Sequence, residues 1–499
     1  MDRFRSGDLL MVGAFRLVAD GVAGAAERAR AAGAGGDRDP AGTLAETLAD
    51  AGLPAAGSDV VAAAVADAGG RAVDGLALDD LLTGGAPGGT RGTDDRPVVE
   101  LSVEAPPDDS VQVLVEVDAT GVLRWHLPAP VTLGPGPDRA ADRQVFRVPV
   151  EQLSLPEEGA SDRGILAYGV RKVLQLVRFP VRAAAGAGGR ALVSWWERRY
   201  RPYRLVVPVG PGLDELVDSR KMPDSQREQF HAGPVLLLVH GTFSTGSAAF
   251  RGLAADPFTA AEVYHRYAGR ILVFDHPTVH VAPADNAAWL LAELGPYGPL
   301  DLDVVAHSRG GLVARSLLGA RSSPSNRLTL RRLVHVATPN AGTVLASEER
   351  LGSLVDVLSN VLALFPDDTI AAPMQAVVEV VKQLALGVLE DLDGLTAMDP
   401  AGPELAALNA ADDGARERYA ITTDFDGASG RVPLRALDAL VDTLFATAND
   451  LVVPTEGVHS AGGYRIADPL VVPSSAAIAH TTFFREPVVR SQLLEWLTP

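Results

Sequence analysis

The chain has 499 residues, 47% of them hydrophobic and 21% charged, with a formal net charge of −19; that is more than one ordinary core accommodates, and two or three domains are expected. The acidic balance excludes a general nucleic-acid surface, because an anionic molecule repels phosphate, and the composition excludes a disordered chain. There is no cysteine, which excludes a disulfide framework, a thiolate metal site and a cysteine nucleophile together.

The first stretch, "MDRFRSGDLLMVGAFRLVADG", is interrupted by Asp8, Arg16 and Asp20 and does not read as a secretory signal. No apolar run is long enough to span a bilayer, so the expectation is a cytoplasmic protein with no transmembrane segment. Residues 1–90 are Ala-rich with helical spacing, as in "LAETLADAGL" (44–53), and are broken by "AAGAGGDRDPAG" (31–42). "LLTGGAPGGTRGTDDRP" (81–97) reads as a linker. "PVVELSVEA" (97–105), "VQVLVEVDATGVLRWHL" (111–127) and "QVFRVPV" (144–150) then alternate apolar and polar residues, with a hairpin turn at Asp118–Gly121. A small antiparallel β unit over 95–155 is expected. Arginines gather among apolar and aromatic residues over 163–204, ending "LVSWWERRYRPYRL". One reading is a basic amphipathic face for peripheral contact with a membrane surface or an acidic partner. The other, taken as the expectation, is a basic helical connector over 160–229 whose arginines pair with acidic neighbours.

From about 230 the pattern changes. "PVLLLVHG" (234–241), "RILVFDHP" (270–277), "LDVVAHS" (302–308) and "RRLVHVATP" (331–339) are continuous apolar strands of the kind buried on both faces. Helical segments such as "NAAWLLAEL" (286–294) separate them, which implies a mostly parallel sheet with helices on both faces. Apolar helices interrupt this over about 345–410, strands resume at "RYAITTDF" (418–425) and "YRIADPLVV" (464–472), and "REPVVRSQLLEWL" (485–497) closes with a helix.

"DLDVVAHSRGGLVARSLL" (301–318) sets Ser308 between a buried strand and an apolar helix. A serine becomes a nucleophile when its hydroxyl is exposed, a base takes its proton and donors receive the developing oxyanion. A sharp strand-to-helix turn exposes it and demands small residues two before and two after, here Ala306 and Gly310, with His307 and Arg309 between. Ala306 departs from the usual glycine. The amide of Arg309 and a second amide after an early strand, from Thr242 or Phe243 in "HGTF" (His240–Gly241–Thr242–Phe243), would form the oxyanion site. Among ten histidines, His480 follows the last strand, where a loop can lower it over Ser308; His459 is its competitor. The orienting acid is expected between serine and histidine: Asp450 in "TANDLVVPTEG" (447–457), with Asp424 and Asp426 as alternatives.

Together, "LLLVHGTFSTG", "DVVAHSRGGLVAR", "LVHVATPNAGT", "NDLVVPT" and "AHTTFF" resemble the α/β-hydrolase superfamily, and within it bacterial lipase and esterase members, over about 230–499. The resemblance implies Ser308 as nucleophile, His480 as base and Asp450 as its partner. It also implies an oxyanion hole from the amides of Arg309 and of the residue after Gly241, and a helical lid over 345–410. Met374, Leu384, Leu386 and Leu389 in those helices could line an acyl pocket or simply pack as cap core. The function so implied is cleavage of carboxylic esters, small-molecule or lipidic, with amides, peptides and thioesters open to the same machinery. A reading of another class has residues 1–200 recognise a protein partner. No cofactor or metal is expected, since no His and carboxylate cluster has ligand spacing. "AGAGG" (32–36) and "GAGG" (186–189) lack the strand-loop-helix setting of a nucleotide site.

Overall fold

The computed structural model describes residues 1–29, 40–83, 97–108, 110–129, 143–150, 154–156, 165–167, 170–180, 192–319, 328–365, 371–389, 392–411 and 414–498. Two compact units result: an N-terminal one of Met1–Arg190, Leu358–Leu389 and Gly430–Ala439, and a C-terminal one of Ala191–Val357, Glu390–Ser429 and Leu440–Pro499. Most of the breaker segments at 31–42 and 81–97, and the glycine runs at 32–36 and 186–189, lie outside the described residues. No helix among the described residues is long and apolar enough to cross a membrane.

The N-terminal unit is mainly β, which corrects the expectation of a helical start. Asp2–Phe4, Leu9–Val12, Phe15–Asp20 and Val22–Arg28 are strands, followed by the helices Pro40–Asp50 and Ala55–Asp67 and the strand Arg71–Thr83. The turn chemistry explains the difference. Val12 pairs with Phe15 across a two-residue connection in which Gly13 takes φ 57°, the geometry of a tight hairpin. Alanine content counts for less here than burial, because Phe15, Leu17 and Ala19 alternate inward.

A six-stranded antiparallel sheet runs in the order Asp2–Phe4, Val22–Arg28, Arg71–Thr83, Val170–Pro180, Ser110–Asp118, Leu123–His126. A four-stranded sheet contains Leu9–Val12, Phe15–Asp20, Val98–Glu104 and Arg143–Pro149. Phe15, Leu101 and Phe146 of the second share one apolar core with Leu76, Leu114 and Leu174 of the first, so the two sheets form a sandwich. Val170–Pro180 is therefore a central strand, paired on both sides, and not part of a helical connector. Its charges do not mark a basic surface face. Instead Lys172 is buried and ion-paired with buried Glu116, whose other oxygen receives His126 Nε2 at 2.6 Å.

The helix Ala371–Ala385 also belongs to this unit and packs against Ala55–Asp67 and Ser110–Asp118. Met374 is fully buried, Leu384 is buried and Leu389 is exposed. Of the apolar stripe expected in a lid, Met374 and Leu384 are thus packed in the N-terminal unit, while Leu386 is half-buried and Leu389 exposed. Ser359 and Asn360 tie the end of Leu351–Leu364 to Leu123–His126: Trp125 Nε1 donates to Ser359 Oγ at 2.8 Å, and Asn360 bridges Leu123 with two bonds.

The C-terminal unit carries an eight-stranded sheet in the order Leu216–Asp218, Arg204–Pro208, Ile271–Asp275, Val235–Val239, Leu300–His307, Leu328–Val336, Glu417–Phe425, Leu470–Ser475. All neighbours from Ile271–Asp275 onward are parallel, and the first two strands are antiparallel. The sheet thus takes in Arg204–Pro208 from the supposed connector. Alternate residues feed two cores. Leu237, Val239 and Val304 meet Leu290 and Val313 of the helices Pro283–Leu294 and Gly310–Gly319. Leu236, Leu238 and Val305 meet Val263 and Val489 of Pro257–Arg266 and Pro487–Trp496 on the other face. Strands buried on both sides explain the uninterrupted apolar runs.

Candidate active site

Ser308 stands where the strand Leu300–His307 turns into the helix Gly310–Gly319. Its φ is 54°, a left-handed conformation that a non-glycine residue adopts only when its surroundings enforce it. The enforcement is local: the Ser308 amide donates to Val336 O at 2.8 Å, and its carbonyl accepts from Gly311 at 3.0 Å. A Cβ on Gly310 would lie 2.4 Å from Val239 O, so only glycine lets the helix start this close to the neighbouring strand. A Cβ on Gly241 would lie 2.4 Å from Ser308 Cβ. The loop after Val235–Val239 therefore passes directly against the serine. Ala306, in the departing position, is fully buried in the sheet core.

The structure brings Ser308, His480 and Asp450 together. His480 Nε2 lies 2.8 Å from Ser308 Oγ, and Nδ1 lies 2.8 Å from Asp450 Oδ2. An ionised carboxylate only accepts, so Nδ1–H donates to Asp450 and Nε2 is left to accept the serine hydroxyl. Asp450 is itself fixed, since its Oδ1 accepts from the amides of Val452 at 3.1 Å and Val453 at 2.8 Å. Its carbonyl receives the His480 amide at 3.0 Å. All three residues are buried. Asp424 does not join them; its Oδ1 accepts the Asn449 amide at 3.2 Å, one residue before Asp450. Asp426 accepts the Ala428 amide, and His459 pairs through its backbone with Glu456 and Ile466.

The two histidines beside the motifs act on the backbone. His307 Nε2 donates to the carbonyl of His480 at 2.8 Å, and burial with the adjacent His480 ring pushes its pKa down to about 3, so it is neutral. His240 Nδ1–H donates to Gly241 O at 2.9 Å, while Nε2 accepts the His276 amide at 3.2 Å. Its ring stacks on His276 with centroids 4.2 Å apart, and burial holds it below the usual histidine range.

Of the two amides proposed after Gly241, that of Phe243 is already engaged, donating to Thr278 Oγ1 at 3.0 Å with φ 60°. The amides of Thr242 and Arg309 have no acceptor among the described residues. The Arg309 side chain is a feature that the sequence reading passed over. Its guanidinium is fully buried, donates from Nε to Gly394 O at 2.7 Å and from a terminal nitrogen to Val281 O. Burial lowers its pKa to about 10, which still leaves it cationic at neutral pH. Glu197 was missed as well. It is buried in the helix Leu192–Tyr200 and binds the amides of residues 278–280.

Residues 213–498, more than half of the chain, match one family, described as a domain of unknown function (DUF7379). The chain belongs to that family. The DUF7379 region includes Ser308, Asp450 and His480 and begins after Glu197. No curated protein matches the sequence. Among solved structures, phospholipase PlaB from Legionella pneumophila is 16% identical over 46% of this chain and 45% of its own, with a TM-score of 0.31. This chain thus spans less than half the length of that phospholipase. An enol-lactonase from Burkholderia xenovorans is 14% identical over 54% and 92%, TM-score 0.30. A probable hydrolytic enzyme from Pseudomonas aeruginosa is 19% identical over 60% and 89%, TM-score 0.36.

Proposed function

We propose that the chain is a serine hydrolase of the α/β-hydrolase type that cleaves carboxylic esters through an acyl-enzyme. One observation carries this reading: hydroxyl, imidazole and carboxylate stand in a line with 2.8 Å at each step, and the serine sits at φ 54°. Ser308 Oγ attacks the ester carbonyl carbon while His480 Nε2 takes its proton. The carbonyl oxygen becomes an oxyanion, received by the amides of Thr242 and Arg309. His480 then returns the proton to the leaving oxygen as the alcohol departs. In the second half His480 takes a proton from water, which attacks the acyl carbon, and returns it to Ser308 Oγ as the carbon–serine bond breaks and the acid leaves. Asp450 keeps Nδ1 protonated throughout and stabilises the imidazolium. Lipidic and medium-chain acyl groups are one arm of the substrate series, with short-chain esters the other.

The test is labelling of the purified chain by a fluorophosphonate and turnover of a nitrophenyl ester series. The expected result is a covalent adduct and ester release, both abolished in a folded Ser308→Ala variant. Unchanged turnover in that variant would refute the proposal. Nitroanilide and thioester analogues in the same panel separate ester cleavage from the other acyl transfers.

A further inference from the structure

Glu197 lies in the helix Leu192–Tyr200, which precedes the family match, yet its carboxylate is buried against a loop of the C-terminal sheet. One oxygen accepts from the amides of Thr278 at 2.7 Å and Val279 at 3.0 Å, and from the Thr278 hydroxyl at 3.4 Å. The other accepts from the amides of Val279 at 3.1 Å and His280 at 2.9 Å, and from His280 Nδ1 at 2.6 Å. Burying a carboxylate is costly unless its lone pairs are filled, and here both oxygens are. Burial alone would raise its pKa, but the His280 bond and charge and the backbone amides outweigh that and hold it below the usual range.

One residue further on, the buried Arg309 guanidinium takes the carbonyl of Val281. The segment 278–281 is therefore gripped through its amides by a carboxylate and through a carbonyl by a guanidinium. What the grip fixes is the Thr278 hydroxyl. Its oxygen accepts the Phe243 amide at 3.0 Å, and Phe243 follows Thr242, whose amide is left without an acceptor among the described residues.

We infer that Glu197 is a positioning residue for the oxyanion site, holding Thr278 so that Phe243 is fixed and the Thr242 amide faces the reacting carbonyl. This rests on the serine-hydrolase reading above. Small displacements at such a site are expensive in rate, roughly 10²-fold for an ångström, whereas ground-state binding of the acyl chain is untouched.

The experiment compares wild type with Glu197→Gln and Thr278→Val, each in the full chain and each checked for folding by circular dichroism and thermal melting. It measures the rate of fluorophosphonate acylation, kcat and KM on one nitrophenyl ester, and inhibition by a trifluoromethyl ketone with the same acyl chain. Thr278→Val removes the acceptor for Phe243 and leaves the backbone bonds to Glu197, so it decides the matter should Glu197→Gln fail to fold. Expected is a fall of roughly 10²-fold in acylation and kcat, KM nearly constant, and weakening of the ketone in proportion. Wild-type acylation in a folded variant, or a loss confined to KM, would overturn the assignment. Absence of acylation in the wild-type chain would instead overturn the hydrolase reading on which it stands.

Discussion

Both units bury charge, but they dispose of it differently. In the N-terminal sandwich, Glu116 sits between Lys172 and His126, so the charges cancel side chain against side chain within the sheet. In the C-terminal unit, Arg309 has no carboxylate within ion-pair distance among the described residues, and it gives its hydrogen bonds to the backbone at Val281 and Gly394. Glu197 takes the backbone amides of residues 278–280 as well as His280 Nδ1 at 2.6 Å. A buried pair holds itself together and adds little to stability beyond what apolar side chains of equal volume would add. A buried charge bonded to loop backbone fixes the shape of that loop. The difference separates a cluster that is paired within a sheet from one that, on the function proposed above, shapes a site.

Substitutions that break this contrast can be ordered by size. Ser308→Ala should lower ester turnover by roughly 10⁴–10⁶-fold, as loss of a triad nucleophile does, measured by initial rates on a nitrophenyl ester with matched circular dichroism spectra. Asp450→Asn should cost on the order of 10⁴-fold in kcat by favouring the wrong imidazole tautomer; a change in KM alone would argue against the orienting role. Gly241→Ala should cost roughly 10²–10³-fold, comparable to losing one oxyanion donor, because its Cβ cannot stand 2.4 Å from Ser308 Cβ without moving the loop.

On the other side of the comparison, Lys172→Met leaves Glu116 buried and short of a partner and should destabilise by about 3–5 kcal/mol. Adding Glu116→Leu should recover much of that loss in chemical denaturation. If the single and double variants were equally unstable, the self-contained view of this pair would fail.

The smallest effect is on acid stability. His240, His276 and His307 are held below the usual histidine range chiefly by burial, His307 down to about 3. Between about pH 6.5, the ordinary histidine value, and about pH 3, the unfolded chain takes up protons that the folded one refuses. Stability should therefore be complete above pH 6.5 and fall as pH drops through that window. His307→Gln should flatten part of the slope in pH-dependent urea denaturation; an unchanged slope would contradict the neutral, buried assignment.

How much could be read beforehand followed the range of the interactions. Ser308 was legible because its cue is local, a buried strand, a small-residue turn and an apolar helix. The meeting of Asp450 and His480 with Ser308 was legible from their places after later strands in chain order. That the Phe243 amide is already engaged was not, since its acceptor is Thr278, more than thirty residues away along the chain. Glu197 was invisible for the same reason: its partners lie at 278–280, and nothing in "SWWERRY" distinguishes a buried glutamate from an exposed one. The N-terminal strands were misread because alanine content was weighed above alternation and turn chemistry. The charges of Val170–Pro180 concealed a central strand whose lysine is paired inside the sandwich.

The most direct measurement is mass spectrometry of tryptic peptides after brief reaction with a slowly hydrolysed ester. One acyl group is expected, on the peptide containing Ser308, formed by the wild-type chain and not by His480→Ala. Acylation elsewhere, or equal acylation of Ser308 without the imidazole, would contradict this expectation.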